Sequence, residues 1–402
     1  MAFSSEFDRL PWEAWHDLTS KASPADVRAA LNGAGSPMTR FARLVSPAAR
    51  EFLESMCQAS HRLTLQRFGK VMRFFAPLYL SNECVNNCKY CGFSRDNPIL
   101  RVTLSVEEVI REARALKERG FRHILLVSGE HPRFAPNNYI ADCISALRDE
   151  IPSVSLEVGP MEEPEYRRMV LAGAEALVVY QETYDRSAYA LVHTAGPKKD
   201  FDWRLDTPER AYAAGFRRLG VGALHGLSDW RFEATALAAH VDHLQRHCWK
   251  SQLTISLPRL RPHAGEFTPF TQLGDREMVQ VIAAFRLVFP DLGIVLSTRE
   301  PATLREGLIP LGVTHMSAGS HTEPGGYTGA GSENLHRTKR GKIEALSDDE
   351  AGCQSATGQF EIADDRSPEE MAEVVRRLGY EVVWKDWDSA LSQTGELLES
   401  GA

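Results

Sequence analysis

Three cysteines within eight residues, Cys84-Val-Asn-Asn-Cys88-Lys-Tyr-Cys91, constrain this chain more than any other stretch. They follow the apolar run Phe74–Leu80, and no further cysteine lies nearby to complete a four-thiol set. Thiolates are soft ligands that select iron–sulfur clusters or zinc. A structural zinc site wants four closed ligands, yet His61 lies upstream and Cys143 far along the chain. A cube-shaped cluster held by three thiolates leaves one iron with an open site, where a small chelating molecule can bind. Ligand count favours the cluster, with zinc as the alternative.

The rest of the chain supplies a frame for that motif. Residues 1 to about 70 read as helical, with Ser23-Pro24-Ala25-Asp26 and Ser46-Pro47-Ala48-Ala49 as helix starts. From Arg73, short apolar runs alternate with amphipathic segments. Expected strands are Phe74–Leu80, His123–Val127, Val154–Val158, Ala176–Tyr180, Arg218–Val221, Leu253–Leu257, Ile294–Ser297 and Thr314–Ser317. Between them fall the helical patterns Ser105–Arg119, Tyr139–Asp149, Glu163–Leu171, Pro208–Ala214, Arg231–Trp249 and Arg276–Phe289. The first has Ser105 and Glu108 spaced as a capping box. This alternation is that of an α/β fold, a (β/α)8 TIM-type barrel. The expected division is a helical extension over 1–70, the barrel over 71–320 and a C-terminal extension over 321–402. The glycine-rich run from Gly319 to Ser332 reads as a loop or lid. Polar residues from Leu335 to Ser355 follow, and then a helix starting at Ser367-Pro368 and a strand-like Glu381-Val-Val-Trp-Lys.

Composition excludes several classes. The 402 residues, 43% of them hydrophobic, suffice for a large core. The net charge is −8 and there is no long Lys/Arg run, so neither a nucleic-acid nor a membrane surface is expected. Met1–Trp12 carries acids and no apolar core stretch, unlike a secretory signal. No window reaches the roughly 18 apolar residues of a membrane helix. Seven cysteines, four of them scattered, argue against disulfide scaffolding and for a reducing cytoplasm.

The cysteine motif with an aromatic, Tyr90, before its last thiol resembles that of the radical S-adenosylmethionine (SAM) enzymes. Tyr79-Leu80-Ser81-Asn82, Ser128-Gly129-Glu130-His131, Tyr180-Gln181-Glu182-Thr183-Tyr184, Pro258–Pro262, Leu296–Glu300, Pro324–Tyr327 and Trp384–Asp388 extend the likeness along the chain. Together they resemble the aromatic-amino-acid lyases and, among these, the 2-iminoacetate synthases (ThiH), tyrosine lyases of thiamine biosynthesis. The resemblance implies a [4Fe–4S] cluster on Cys84, Cys88 and Cys91, with SAM on the open iron. It places Tyr90 beside the adenine and makes Ser128-Gly129-Glu130 the counterpart of a Gly-Gly-Glu motif that meets the SAM ammonium. Glu157, Gln181, Glu182 and Arg204 become candidates for SAM ribose and carboxylate contacts, and Gly220-Val-Gly222 for packing near adenine. An amino-acid carboxylate suits a planar bidentate partner. The resemblance gives that role to Arg299, with Ser317 and Ser320 beside it. Ion pairs of Arg299 with Glu300 or Glu323 are the alternative. Arg259 and Arg261 are further carboxylate candidates or structural groups. The thirteen histidines show no His-x3-His set read as metal-binding. His131, His225, His263 and His315 stand at expected strand ends as acid–base candidates. The implied reaction cleaves the Cα–Cβ bond of L-tyrosine to 2-iminoacetate and p-cresol, with closure by the Gly319–Ser332 loop. The implied partners are the thiazole synthase ThiG and a flavodoxin or ferredoxin electron donor. A tryptophan lyase such as NosL is the nearer alternative, and a non-enzymatic metal scaffold is one of another class. The lone Cys353 beyond Cys248 argues against a second C-terminal cluster of the HydG kind.

Overall fold

A computed structural model describes residues 2–339, 342–344, 346 and 353–384; the acidic Ser347–Ala351 and the motif residues Lys385–Asp388 lie outside these. Eight parallel strands form the core: β1 (Val71–Ser81), β2 (His123–Ser128), β3 (Ser153–Glu157), β4 (Ala174–Val178), β5 (Arg218–Gly222), β6 (Gln252–Ser256), β7 (Gly293–Leu296) and β8 (His315–Ser317). Each pairs with the next, and β8 returns to β1 through Arg73↔His315 and Phe75↔Ser317, which closes the barrel. A ninth strand, β9 (Glu381–Val383), extends the lower half of β1 through Val71↔Glu381. Barrel strands are buried on both faces, so they appear as continuous apolar runs without alternation; every residue of β2 is buried.

Helices cover the strands: α1 (Val106–Glu118), α2 (Asn137–Leu147), α3 (Glu163–Ala172), α4 (Thr207–Ala214), α5 (Trp230–His247), α6 (Asp275–Val288), α7 (Ala302–Leu308) and α8 (Pro368–Arg377). The capping box read from sequence is present in α1. Its Ser105 Oγ accepts from the Glu108 N–H at 3.2 Å, while the Ser105 N–H donates to the Glu108 carboxylate at 2.7 Å. Val109, Ala113 and Leu116 then fall on the face turned to the core. The N-terminal region is helical and packs against α5 and α6, with Phe41 and Phe285 rings 4.7 Å apart. Its Ser46-Pro47 start opens a 3₁₀ helix, Pro47–Phe52, which hands over to the helix Leu53–Phe68.

Two irregularities prepare the upper, C-terminal end of the barrel. β1 and β2 run in register up to Tyr79↔Val127, and then a bulge shifts the pairing to Ser81↔Ser128. Such bulges re-aim the chain beside active sites, and here the cysteine loop leaves β1. The second is an excursion between β8 and α8. Its two ends meet where the Gly319 N–H donates to the Arg366 carbonyl at 3.2 Å.

Candidate active site

The cysteine loop is held from within by Arg101, a side chain 1% exposed. Its guanidinium donates to the carbonyls of Asn82, Phe93 (3.2 Å) and Ser94 (2.8 Å). Asn97 donates to the carbonyls of Cys91 and Gly92. Asn87–Cys88 forms a short antiparallel ribbon with His193–Ala195. Cys88 is buried; Cys84 and Cys91 are half-buried. Burial pushes all three thiols up, so a bound metal is what would keep them as thiolates. The Asn86 N–H donates to Cys84 Sγ at 3.4 Å, and the Gln359 amide donates to Cys91 Sγ at 3.8 Å.

The spread of the sulfurs tests the metal. Tetrahedral thiolates 2.3 Å from one zinc would sit about 3.8 Å apart. The three sulfurs do not all fall within 4.8 Å of one another, and among the described residues no other side chain joins them in so tight a group. Three thiols with no fourth ligand grouped beside them among the described residues are a donor set that fits a polynuclear cluster with one open site.

The loop after β2 packs on the cysteine loop. A Cβ on Gly129 would lie 2.3 Å from the Glu83 carbonyl oxygen, so only glycine fits there. The Gly129 N–H donates to the Ser81 carbonyl (2.9 Å), and Ser128 Oγ–H donates to the Gly129 carbonyl (2.8 Å). The Glu130 carboxylate accepts from the Asn86 amide at 2.6 Å, and its carbonyl accepts from the Val85 N–H. Tyr90 donates its hydroxyl to His193 Nε2 at 2.6 Å, while His193 Nδ1–H donates to the Tyr189 carbonyl. Burial drives that imidazole down to about 2, so it is neutral.

Glu182 is the one non-glycine residue among those described with a positive φ, 73°. Its carboxylate accepts from Lys198 Nζ at 2.6 Å and lies 3.5 Å from an Arg204 nitrogen. Burial alone would raise its pKa, but Lys198 and Arg204 hold it below the usual carboxylate range. Gln181 turns away: its amide donates to the Phe201 carbonyl.

Across the barrel mouth, Glu157 at the end of β3 and Arg299 beyond β7 line one recess with Tyr79, Tyr180, Ser317 and Ser320. In an eight-stranded barrel the third and seventh strands face each other. Arg299 lies over the Phe360 ring at 3.3 Å, and among the described residues its guanidinium has no ion pair or hydrogen bond. The alternative partners are taken. Glu300 pairs with Arg259, and Glu323 accepts from His321 at 3.0 Å. Ser320 Oγ is buried without a hydrogen-bond partner, and Ser317 Oγ accepts from the Thr298 N–H. Burial first, and then Glu182, pushes the Glu157 carboxyl up to about 7, with Arg299 opposing.

Several expectations change. Arg259 also pairs with Asp275 at 2.7 Å, and among the described residues the Arg261 guanidinium donates to the Glu361 carbonyl at 3.5 Å. His315 begins β8, so it sits at the lower end of the barrel. His243 and His247, four apart on α5, bring ligating atoms within 4.8 Å of one another and of Glu6, a set the sequence reading overlooked. Their rings stack at 4.1 Å.

The Gly319–Ser332 loop contributes Ser320 and Thr322 to the recess and then runs outward. Tyr327 and Thr328 N–H groups donate to Glu112 on α1 at 3.0 and 2.8 Å. The segment lying over the mouth is Thr357–Asp364, a strap that the sequence did not reveal. The Thr357 N–H donates to the Leu100 carbonyl, the Gln359 N–H to Thr322 and the Ala363 N–H to Thr298. Arg305 and Asp364 anchor it as a fully buried ion pair. Lys198 was missed as well. Its only signal was the Gly196-Pro197 turn before it, where a Cβ on Gly196 would strike Asn86.

Comparison with known proteins follows the same lines. Residues 78–239 match the family model of the radical SAM superfamily, and residues 256–381 that of the biotin and thiamin synthesis associated domain. The chain is 41% identical to 2-iminoacetate synthase of Escherichia coli K12 over 98% of its length and 99% of the relative's. It is 39% identical to the Salmonella typhimurium LT2 protein of the same name, at 98% and 99% coverage. A crystal structure of HydG, a maturase of the [FeFe]-hydrogenase, superposes with a TM-score of 0.82 at 31% identity, covering 98% of this chain and 82% of that one. No helix among the described residues is long and apolar enough to cross a membrane.

Proposed function

The chain belongs to the 2-iminoacetate synthases of the radical SAM superfamily, and on that premise we propose that it is a tyrosine lyase. It cleaves the Cα–Cβ bond of L-tyrosine to give 2-iminoacetate and p-cresol for the thiazole of thiamine. The observation that carries this reading is the pairing of two features in one barrel mouth. Among the described residues, three buried or half-buried thiols have no fourth ligand grouped with them, and an Arg299 without an ion pair shares a recess with Glu157.

Cys84, Cys88 and Cys91 hold the [4Fe–4S] cluster. When bound, cluster and SAM supply the one-electron reductive cleavage that starts the chemistry. Glu130, fixed by Asn86, accepts from the SAM ammonium, and Arg204 meets its carboxylate. Glu157 and Glu182 accept from the ribose hydroxyls, and Tyr90 borders the adenine. Gln181 orders the loop beneath them through Phe201. Arg299 grips the tyrosine carboxylate with its planar fork, braced by Phe360, and Ser317 and Ser320 complete the seat. The strap keeps water from the recess, which radical chemistry requires. Product passes to the thiazole synthase ThiG, and a flavodoxin or ferredoxin supplies the electron. Both partners belong to this proposal and rest on the resemblance of the chain's motifs to that family.

Anaerobic incubation of the reconstituted protein with reductant, SAM and isotopically labelled tyrosine tests the reading. Labelled p-cresol, absent from a Cys88→Ala control and not replaced by an indole product from tryptophan, is the expected result. Zinc in place of iron in oxygen-protected material would overturn it.

A further inference from the structure

One side chain stands between the cysteine loop and the substrate recess. Gln359, on the strap, donates its amide N–H to Cys91 Sγ at 3.8 Å. Its amide carbonyl accepts the Tyr79 hydroxyl at 2.9 Å. Tyr79 in turn lines the recess with Arg299 and Glu157. Backbone bonds fix the residue on both sides. Its N–H donates to the Thr322 carbonyl at 3.0 Å, and its carbonyl accepts from the Gly92 N–H at 3.0 Å. A Cβ on Gly92 would come within 2.6 Å of that carbonyl oxygen, so the cysteine loop is shaped to receive the strap at this point. The hydrogen-bond polarity is self-consistent. An amide that accepts from a phenol has its N–H₂ left for the sulfur.

We propose that Gln359 is a positioning residue that joins the cluster to the substrate recess, setting the reduction potential of the cluster through Cys91 and the recess wall through Tyr79. A hydrogen bond to a cluster-ligand sulfur stabilises the added negative charge of the reduced state and so raises the potential. The same amide takes its orientation from Tyr79, so whatever presses on that phenol is felt at the sulfur. The proposal rests on the assignment of a cluster to Cys84, Cys88 and Cys91.

The test is EPR-monitored potentiometry of the reconstituted full-length protein, without SAM or tyrosine, so that no turnover enters the readout. Gln359→Met keeps the length but cannot donate; at fixed potential its reduced-to-oxidised ratio should fall about fivefold, the worth of one such hydrogen bond. Gln359→Glu adds a negative charge and should shift the midpoint further negative. Tyr79→Phe leaves every backbone bond of the strap in place and should shift it the same way by less. The order wild type, Tyr79→Phe, Gln359→Met, Gln359→Glu supports the proposal, because a purely structural role would change iron content and melting temperature without producing it. Equal midpoints in iron-replete variants overturn it. Should both Gln359 variants lose the cluster, Tyr79→Phe decides alone, and a wild-type midpoint there overturns the proposal. A wild-type protein that binds no iron would instead sink the functional reading itself.

Discussion

Arg299 illustrates how much a single residue's value depends on what its neighbours decline to do. Glu300 and Glu323 are both engaged elsewhere, which among the described residues leaves the guanidinium the Phe360 ring. Arg299→Lys keeps the charge and loses the planar fork. The expected result is a fall in kcat/KM for tyrosine of roughly a hundredfold, about 3 kcal/mol of transition-state binding, with cluster content unchanged by iron analysis. Glu157 carries a pH signature. Its carboxyl is lifted to about 7, so it is largely protonated at pH 6 and ionised at pH 8. As an acceptor for two hydroxyls it works best ionised. SAM affinity, measured by equilibrium binding, should therefore rise as the pH climbs through 7, and Glu157→Gln should flatten that rise. Sequence alone supplied Arg299 through a family motif, but not the absence of competitors that frees it, because Arg259 and Glu300 meet only in the fold.

At the level of elements, local rules predicted local structure well. The Ser105–Glu108 box, the proline starts and the apolar runs of the barrel strands all appear within a few residues of their expected positions. Replacing Ser105 by Ala should lower stability by about 1 kcal/mol in denaturant unfolding. The short helix α7 and the Asn87–Cys88 ribbon left no periodic signal, since a few residues complete neither a helical nor a strand repeat. α5 also holds its neighbour in place. Glu233, fully buried on α5, accepts from Thr183 Oγ1 and from the Tyr184 N–H at 2.9 Å, which fixes the loop carrying Glu182. Burial lifts its carboxyl to about 8 from 4.5. A folded pKa above the unfolded one means the native state binds the extra proton, so this group's contribution falls as pH rises from about 4.5 and levels off above 8. Between pH 6 and 8 the loss is at most about 3 kcal/mol. Thermal unfolding of Glu233→Gln should lack that decline.

The whole molecule shows where sequence reading stops. The barrel was legible because each βα unit is local. The strap was not, because its bonds to Leu100, Thr298 and Thr322 connect segments far apart in the chain. Its anchor is testable: Arg305→Met leaves the buried Asp364 carboxylate with only Arg366 as partner, and should cost about 3 kcal/mol in chemical denaturation. The excursion that carries the strap departs and returns at a single hydrogen bond between Gly319 and Arg366. Closing a longer flexible loop across the same two points costs only about 0.6 kcal/mol for each doubling of its length. That low cost applies only between its tethered points. Glu112 and Glu83 moor its first part, and Gly92 and Arg305 moor the strap, so any redrawing of the roof over the reaction chamber must keep or replace those moorings.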